Sequence, residues 1–568
     1  MSRRVSKGLF ACLAVTHAVC AQAAGLPAVR GVAAVASDEA QASACGTRIL
    51  SAGGNAVDAA VATALCAGVV QPSASGLGGG GFALLTWPGR VDPILLDFRE
   101  AAPQAAARDM FRLPDGGVDK AASKLGGQAV AVPSEGIGLA ELHARWGELP
   151  ARAVAAPAVE LASRGFVCGW NLATKLADLK PEGSEVIDAL GLTGFPLAGG
   201  AAQGLVLRRP SLAATLRRWA ATGGEDLRTG AGAEALVSYV QAHGGALTLE
   251  DLAAYRTVER APVVGSYRGY TVISAPPPSS SGIAIVEMLG ALEAWDIKAL
   301  GLNSADMLHL LAEVMQHAYA DRAHHLGDPA FVDVPMERLL STTRRDEIRA
   351  AVDMARTFPP ERYGPLIAPP VDAGTEHISV VDAMGFGVAL TTTINLPFGS
   401  GLVEPRTGVI LNDEMDDFVA APGVPNAFGL VGTEANAIAP GKRPLSSMSP
   451  TILLAPDGHV ALVIGGSGGS TIISAVLQAI LAVVDFGYDP SQALALPRIH
   501  HQWQPAELVV EPELPKDVVA ALTARGHKVV VRPAFSAVQA VYAPSVGVVL
   551  AGSDPRKGGL PSAVPVDR

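Results

Sequence analysis

What this chain has little of narrows the field first. Five cysteines occur in 568 residues, none in a CxxC pair, so neither a disulfide framework nor a zinc site is indicated. Cys12 and Cys20 fall in a segment read below as a leader, which leaves Cys45, Cys66 and Cys168. An odd number cannot all pair within one chain. A bridge between Cys45 and Cys66 stays open at this level, and buried thiols are the expectation.

Basic runs are missing too. The formal net charge is −11, with an isoelectric point near 5.6, and no lysine- and arginine-rich stretch interleaves with aromatics, so no nucleic-acid partner is expected. Unbroken apolar runs of membrane length are also absent. Ala59 to Trp87 and Ala461 to Val484 are uncharged, but Pro72 and the glycines from Gly78 to Gly81 interrupt the first. Gly465 to Gly469 split the second into a strand and a helix of about 14 residues, too short to cross a bilayer. No transmembrane helix is expected. His309, His317, His324 and His325 lack a paired carboxylate pattern, and no metal or other cofactor is assigned.

What is present begins at the N-terminus. Met1 to Lys7 carries Arg3, Arg4 and Lys7, an apolar run follows from Gly8 to about Cys20, and Ala21-Gln-Ala23 closes it. Basic start, short apolar core and small-x-small end describe a secretory leader, with cleavage expected before Ala24 and a periplasmic or secreted product. The remainder, 49% hydrophobic over the whole chain, can bury a large core. From Ala40 to Val69 the period is helical, with Gly53, Gly54 and Asn55 closing one helix before Ala56 opens the next. Two short strands follow, Phe82 to Trp87 and Ile94 to Phe98. Residues 104 to 363 read as mainly helical, with a strand pair near Tyr267 to Ile273.

The chain is organised around Thr375. Two β-branched runs, Thr375 to Asp382 and Gly387 to Asn395, flank a turn at Gly385 and read as a buried hairpin. Before them Gly364 to Gly374 holds three prolines and few groups that anchor a core. If the Gly374–Thr375 bond is cut, one residue carries both a hydroxyl and a free α-amine. That amine, with a reference pKa of about 8, can take the hydroxyl proton, the arrangement of a threonine nucleophile in acyl transfer. Read without its surroundings, Thr375 is more readily an ordinary strand-edge threonine than a nucleophile.

The surroundings decide. Thr375-Glu-His-Ile-Ser-Val-Val-Asp382, Thr391-Thr-Thr-Ile-Asn395, Phe398-Gly-Ser-Gly401, Leu411-Asn-Asp-Glu-Met-Asp-Asp-Phe418, Lys442-Arg-Pro-Leu-Ser-Ser-Met-Ser-Pro450 and Gly465-Gly-Ser-Gly-Gly-Ser470 occur in this order. Together they resemble the γ-glutamyltranspeptidase family, from about residue 30 to Arg556. The family consists of N-terminal-nucleophile hydrolases made as precursors that cut themselves before a threonine. The resemblance implies an α+β fold, a four-layer αββα sandwich of two stacked antiparallel sheets. It also implies a large subunit, 24–374, and a small one, 375–568, sharing one structural unit.

By the same resemblance, Thr375 is the nucleophile and Thr393 holds its hydroxyl. Gly468 and Gly469, before an apolar helix from Thr471 to Val484, offer amides to an oxyanion. Arg99, in a D-F-R-E-x-A-P motif, binds the substrate α-carboxylate with Ser446 and Ser447; Asn395, Glu414 and Asp417 bind its α-ammonium. Glutathione and other γ-glutamyl compounds are then donors, and water, amino acids or dipeptides acceptors. Ala421 to Gly432 resembles a lid loop, with Phe428 where many members have tyrosine. Glu376 is a second departure, since Thr or Ser more often follows the nucleophile. His500-His-Gln-Trp503 resembles a structural motif and is left out of the site. Two rivals remain: a glutaryl- or cephalosporin-type acylase on the same scaffold, and an unprocessed binding protein.

Overall fold

The computed structural model describes residues 27–89, 92–179, 184–365, 374–421, 432–533 and 535–566. The leader, most of the proline-containing segment before Gly374, and the lid with Phe428 lie outside them.

The β-branched runs form two seven-stranded sheets. One runs, edge to edge, through Ser562–Val564, Ala33–Ser37, Glu376–Val381, Gly387–Thr393, Gly80–Thr86, Ile94–Phe98 and Val258–Arg260. The other runs through Val29–Gly31, Val548–Ser553, Ala537–Ser545, Val460–Ser467, Thr451–Leu454, Tyr270–Ser274 and Val263–Tyr267. Neighbouring strands are antiparallel throughout both. The expected hairpin is present, with Glu376 opposite Thr392 and Val381 opposite Gly387.

Both faces of each sheet are covered, which is why the strands read as near-continuous apolar text. Phe82, Leu84, Ile273, Val381, Ile452, Val463 and Val541 pack between the sheets. On the outer face of the first sheet, Ile378, Val380, Val388 and Leu390 meet the helices Ala40–Ser51 and Ala56–Val70. Each such side chain, fully buried, contributes about 1.5–3 kcal/mol. The second sheet is covered by Ser281–Leu292, Ala305–His325 and Ile472–Val484. The four-layer α+β architecture expected from the resemblance is the one observed.

The uncharged stretches resolve into helix plus strand as expected, and no helix among the described residues is long and apolar enough to cross a membrane. Cys45, Cys66 and Cys168 are free and buried. Burial and the adjacent Cys45 thiol push the Cys66 thiol well above its ordinary value, so it is held as an unreactive thiol.

Candidate active site

Alternation along a strand decides what Thr375 can reach, because successive side chains point to opposite faces. In Glu376–Val381, Ile378 and Val380 enter the helix-side core. Ser379 turns instead to the gap between the sheets, where its hydroxyl donates to the Gln539 carbonyl at 3.1 Å. Thr375 heads this second series. The register places Thr391 and Thr393 on the same face of the partner strand, and the Thr375 and Thr393 hydroxyls lie 3.3 Å apart. Thr393 Oγ1 also accepts the Asn395 amide at 2.9 Å. Gly79 comes so close to this corner that a Cβ on it would fall 1.9 Å from the Thr393 carbonyl oxygen.

Backbone at the junction is strained. Gly374 has φ 77° and Thr375 φ 125°; a β-branched residue held at positive φ costs on the order of 1–3 kcal/mol.

A charged wall faces the threonines. Strand Ile94–Phe98 delivers Arg99 at its end, almost fully buried. Its guanidinium pairs with the Glu414 carboxylate and, at 2.5 Å, with Asp417, while Nε donates to the Pro444 carbonyl at 3.3 Å. Glu414 and Asp417 stand on one 3-10 turn, Glu414–Asp417. Asn412 pins that turn: its side-chain amide donates to the Gly78 and Ala131 carbonyls at 2.7 and 3.0 Å, and its side-chain oxygen accepts the Glu414 amide at 3.0 Å. The groups expected to take a carboxylate and an ammonium are thus paired with each other in the free chain. Burial, with neighbouring carboxylates, pushes the Glu414 carboxyl well above its ordinary value. Glu100, 3.6 Å from Arg99, is pushed up to about 7 by the same burial. Asn395 donates to the Asp413 carbonyl at 3.0 Å, and its side-chain oxygen is buried with no hydrogen-bond partner among the described residues.

Across the gap, strand Val460–Ser467 ends in Gly468 and Gly469, at φ 133° and 60°. A 3-10 turn, Gly469–Thr471, leads into helix Ile472–Val484. This turn is braced from behind. Tyr319 donates to the Ser470 carbonyl at 2.5 Å, the Ser470 hydroxyl donates to the Gln502 side-chain oxygen at 2.7 Å, and that oxygen meets His500 Nε2 at 2.9 Å. The His500 to Trp503 motif therefore supports the glycine turn without entering the hollow. Ser446 is fixed through its carbonyl, which accepts the Ser280 amide and hydroxyl at 2.9 and 2.8 Å. Arg322 donates to the Ser447 hydroxyl at 3.3 Å and to the Ser280 hydroxyl at 3.0 Å. Burial pushes its guanidinium down to about 10.

These residues meet in one hollow of about 300 Å³, its open mouth included, lined by Arg99, Thr375, Thr393, Asn395, Glu414, Asp417, Ser446, Ser447 and Gly469. Of the residues singled out in the sequence, Gly468 alone stands behind the lining, where its carbonyl accepts the Thr471 hydroxyl at 2.7 Å. Elsewhere, His309, Glu313 and His527 gather nitrogen and carboxylate donors suited by type to a metal; His527 Nδ1 is buried with no hydrogen-bond partner among the described residues, and the other donors meet protein partners. His309 contacts His527 at 2.7 Å and the Asp353 carbonyl at 2.8 Å, and Glu313 accepts from Tyr363 at 2.6 Å and Gln316 at 3.1 Å.

The family model described as Gamma-glutamyltranspeptidase matches residues 42–564. The chain belongs to the γ-glutamyltranspeptidase family. It is 42% identical over 530 residues to the glutathione hydrolase proenzyme of Escherichia coli (strain K12), covering 92% of this chain and 90% of that one. Among solved structures, the cephalosporin acylase of Bacillus halodurans matches with a TM-score of 0.83 at 28% identity, covering 95% of this chain and 98% of that one. The γ-glutamyltranspeptidase of Pseudomonas nitroreducens complexed with L-DON matches with a TM-score of 0.52 at 35% identity, covering 57% of this chain and 96% of that one.

The residues that the sequence did not single out are those that brace the lining: Tyr319, Arg322, Ser470 and Lys557. Tyr319 and Arg322 stand three apart on helix Ala305–His325 and so share a face, a spacing that could have been noticed. Lys557 donates to the Thr375 carbonyl at 2.8 Å from 182 residues away, and no local pattern announces it.

Proposed function

We propose that this member of the family is exported, cuts itself between Gly374 and Thr375, and then acts as a γ-glutamyltransferase and glutathione hydrolase. The observation that carries the reading is the Thr375–Thr393 hydroxyl pair, 3.3 Å apart, in a hollow that also presents Arg99, two acids and a glycine turn.

In the precursor the Thr375 hydroxyl attacks the Gly374 carbonyl carbon, the C–N bond breaks as the peptide nitrogen takes a proton, and water hydrolyses the resulting ester. One water is consumed, leaving a Gly374 carboxylate and a Thr375 with free hydroxyl and amine. Release of the strained φ at Thr375 favours the step. In the processed protein the amine takes the hydroxyl proton as Oγ1 attacks the γ-carbonyl of a γ-glutamyl amide. Amides of Gly468 and Gly469, at the head of a helix, stabilise the oxyanion. The amine returns the proton to the leaving nitrogen, and a γ-glutamyl ester remains on Thr375. Water then yields glutamate, or an amino acid or dipeptide amine yields a new γ-glutamyl compound.

The charged wall supports the choice of acyl group. A γ-glutamyl α-carboxylate takes the place of the acids on Arg99, with Ser446 and Ser447 beside it, and the α-ammonium takes the place of Arg99 on Glu414 and Asp417, near Asn395. Each buried charge keeps a partner, which a desolvated site requires. An acylase of the kind seen in the Bacillus halodurans structure is the second reading; an acyl group without an ammonium leaves the Glu414–Asp417 wall without a substrate charge to meet.

Intact mass of the purified protein beside its Thr375→Ala variant tests the proposal. The expected result is two fragments in the wild type, the smaller beginning at Thr375, a single chain in the variant, and release of p-nitroaniline from γ-glutamyl-p-nitroanilide by the wild type alone. A folded wild type that stays one chain overturns it.

A further inference from the structure

Behind Thr375, on the side away from the hollow, lies a buried charge cluster that the reaction above does not use. Lys557, in the connection between strands Val548–Ser553 and Ser562–Val564, donates from Nζ to the Thr375 carbonyl at 2.8 Å and to Asp38 Oδ2 at 3.2 Å. Asp38, fully buried, also accepts from Ser467 and from Gln539, both at 2.5 Å, and its amide donates to Glu376 Oε1 at 3.0 Å. Two buried acids thus face one ammonium. The charge is divided unevenly, because Asp38 has the lysine and two further donors, whereas Glu376 Oε2 has no hydrogen-bond partner among the described residues. Burial and the neighbouring Asp38 hold the Glu376 carboxyl well above its ordinary value, and burial raises Asp38 as well, against its donors.

We propose that Lys557 is a positioning residue for the nucleophile: it fixes the Thr375 carbonyl and places a positive charge beside the amine released by cleavage, keeping that amine in its free-base form. Asp38 anchors the ammonium, and Glu376 forms no ion pair with it among the described residues. The inference rests on the proposed cleavage at Thr375. A cation near an ammonium destabilises the protonated form and lowers its pKa. A general base poised below its reference value of about 8 is the form that catalysis near neutral pH needs. The other charged groups facing Thr375 are accounted for. Arg99, Glu414 and Asp417 across the hollow pair among themselves; Arg322 stands behind Ser447; Glu39 lies beyond Glu376; and His377, its pKa pushed down to about 3 by burial, is neutral.

The test is the acid limb of kcat/KM against pH for processed wild type, Lys557→Met, Lys557→Arg, Asp38→Asn and Glu376→Gln, with intact mass recorded on the same samples. Removing the cation moves the limb up by about 0.5–1 pH unit and lowers kcat/KM at pH 7 by up to about three- to tenfold. Lys557→Arg restores the wild-type limb. Asp38→Asn, which leaves the cation without its counter-charge, moves the limb down, and Glu376→Gln leaves it in place. A merely structural role predicts loss of activity without opposite displacements. If Lys557→Met stays uncut, the contrast between Asp38→Asn, which moves the limb, and Glu376→Gln, which does not, still reads the charge at the amine. A limb that does not move in Asp38→Asn, or that moves down in Lys557→Met, overturns the proposal. A wild type cut at Thr375 but showing these failures leaves the proposed function standing, whereas an uncut wild type removes both.

Discussion

Arg99 and Asp417 form an ion pair at 2.5 Å in the wall of the hollow. The pair must part before a zwitterionic acyl group can enter, so its two halves report on opposite ends of the substrate. Asp417→Asn is expected to lower kcat/KM for a γ-glutamyl anilide about 10²-fold, the effect of leaving a buried ammonium half partnered. A glutaryl anilide, which has no ammonium, should lose less than about threefold. Steady-state kinetics with the two substrates decides the matter, and equal losses would sink the ammonium assignment.

Thr393 offers its hydroxyl to Thr375 at 3.3 Å while accepting the Asn395 amide. Thr393→Val keeps the strand and removes that oxygen. A fall in kcat of roughly 10-fold or more with KM nearly unchanged is expected, since the bond aids the nucleophile and not substrate binding. Thr393→Ser should recover most of the rate. A variant that changes KM alone would count against the role.

Gly374 stands at φ 77°, and a Cβ on it would fall 1.5 Å from the Asn395 carbonyl oxygen. That overlap cannot be relieved by turning a side chain, so Gly374→Ala must displace the scissile carbonyl from the Thr375 hydroxyl. Processing should slow by about tenfold or more, read as the decay of precursor on a denaturing gel, with circular dichroism unchanged. Wild-type processing in this variant would show that the junction reshapes before the cut.

Glu135, at the start of helix Glu135–Trp146, accepts the Gly76 amide at 3.2 Å and the Ser75 hydroxyl. Ser75 in turn meets Thr392 at 2.7 Å on the helix side of the nucleophile's sheet. Burial pushes the Glu135 carboxyl up to about 8. A folded-state pKa above the unfolded value of about 4.3 means that the fold binds the extra proton. This stabilisation is complete below about pH 4.3 and is lost as the pH rises to about 8. In the uncut Thr375→Ala background, Glu135→Gln should flatten the decline of Tm across that window. A decline of undiminished slope would assign it to other groups.

Much of the fold was legible because its strands and helices announce themselves by period. Phe82 to Trp87 and the hairpin after Thr375 appear within two residues of their expected bounds. Val258–Arg260 did not stand out, since three residues with two charges among them carry no strand period, yet they close an edge of the nucleophile's sheet. Strand order was beyond reach for a different reason: Val29 pairs with Ala551, and no local signal links the two ends of a chain. Motif wording named most of the residues that line the hollow, and the partners it implies for them are those of a bound substrate. It did not show that Arg99 pairs with Glu414 and Asp417, because that pairing depends on burial and on Asn412 beneath the turn, which no local pattern records.

The interleaving of the sheets has a consequence for the life of the molecule. Glu376–Val381 and Gly387–Thr393 lie between Ala33–Ser37 and Gly80–Thr86, and the run from Val548 to Leu454 in the other sheet is flanked by Val29–Gly31 and Tyr270–Ser274. A cut at Gly374 would therefore create a heterodimer whose halves never met as strangers. Such a pair is a memory of a single chain: once denatured, its fragments would have to find in solution a weave that the precursor made by connectivity. Maturation at this bond trades the ability to refold for the ability to react.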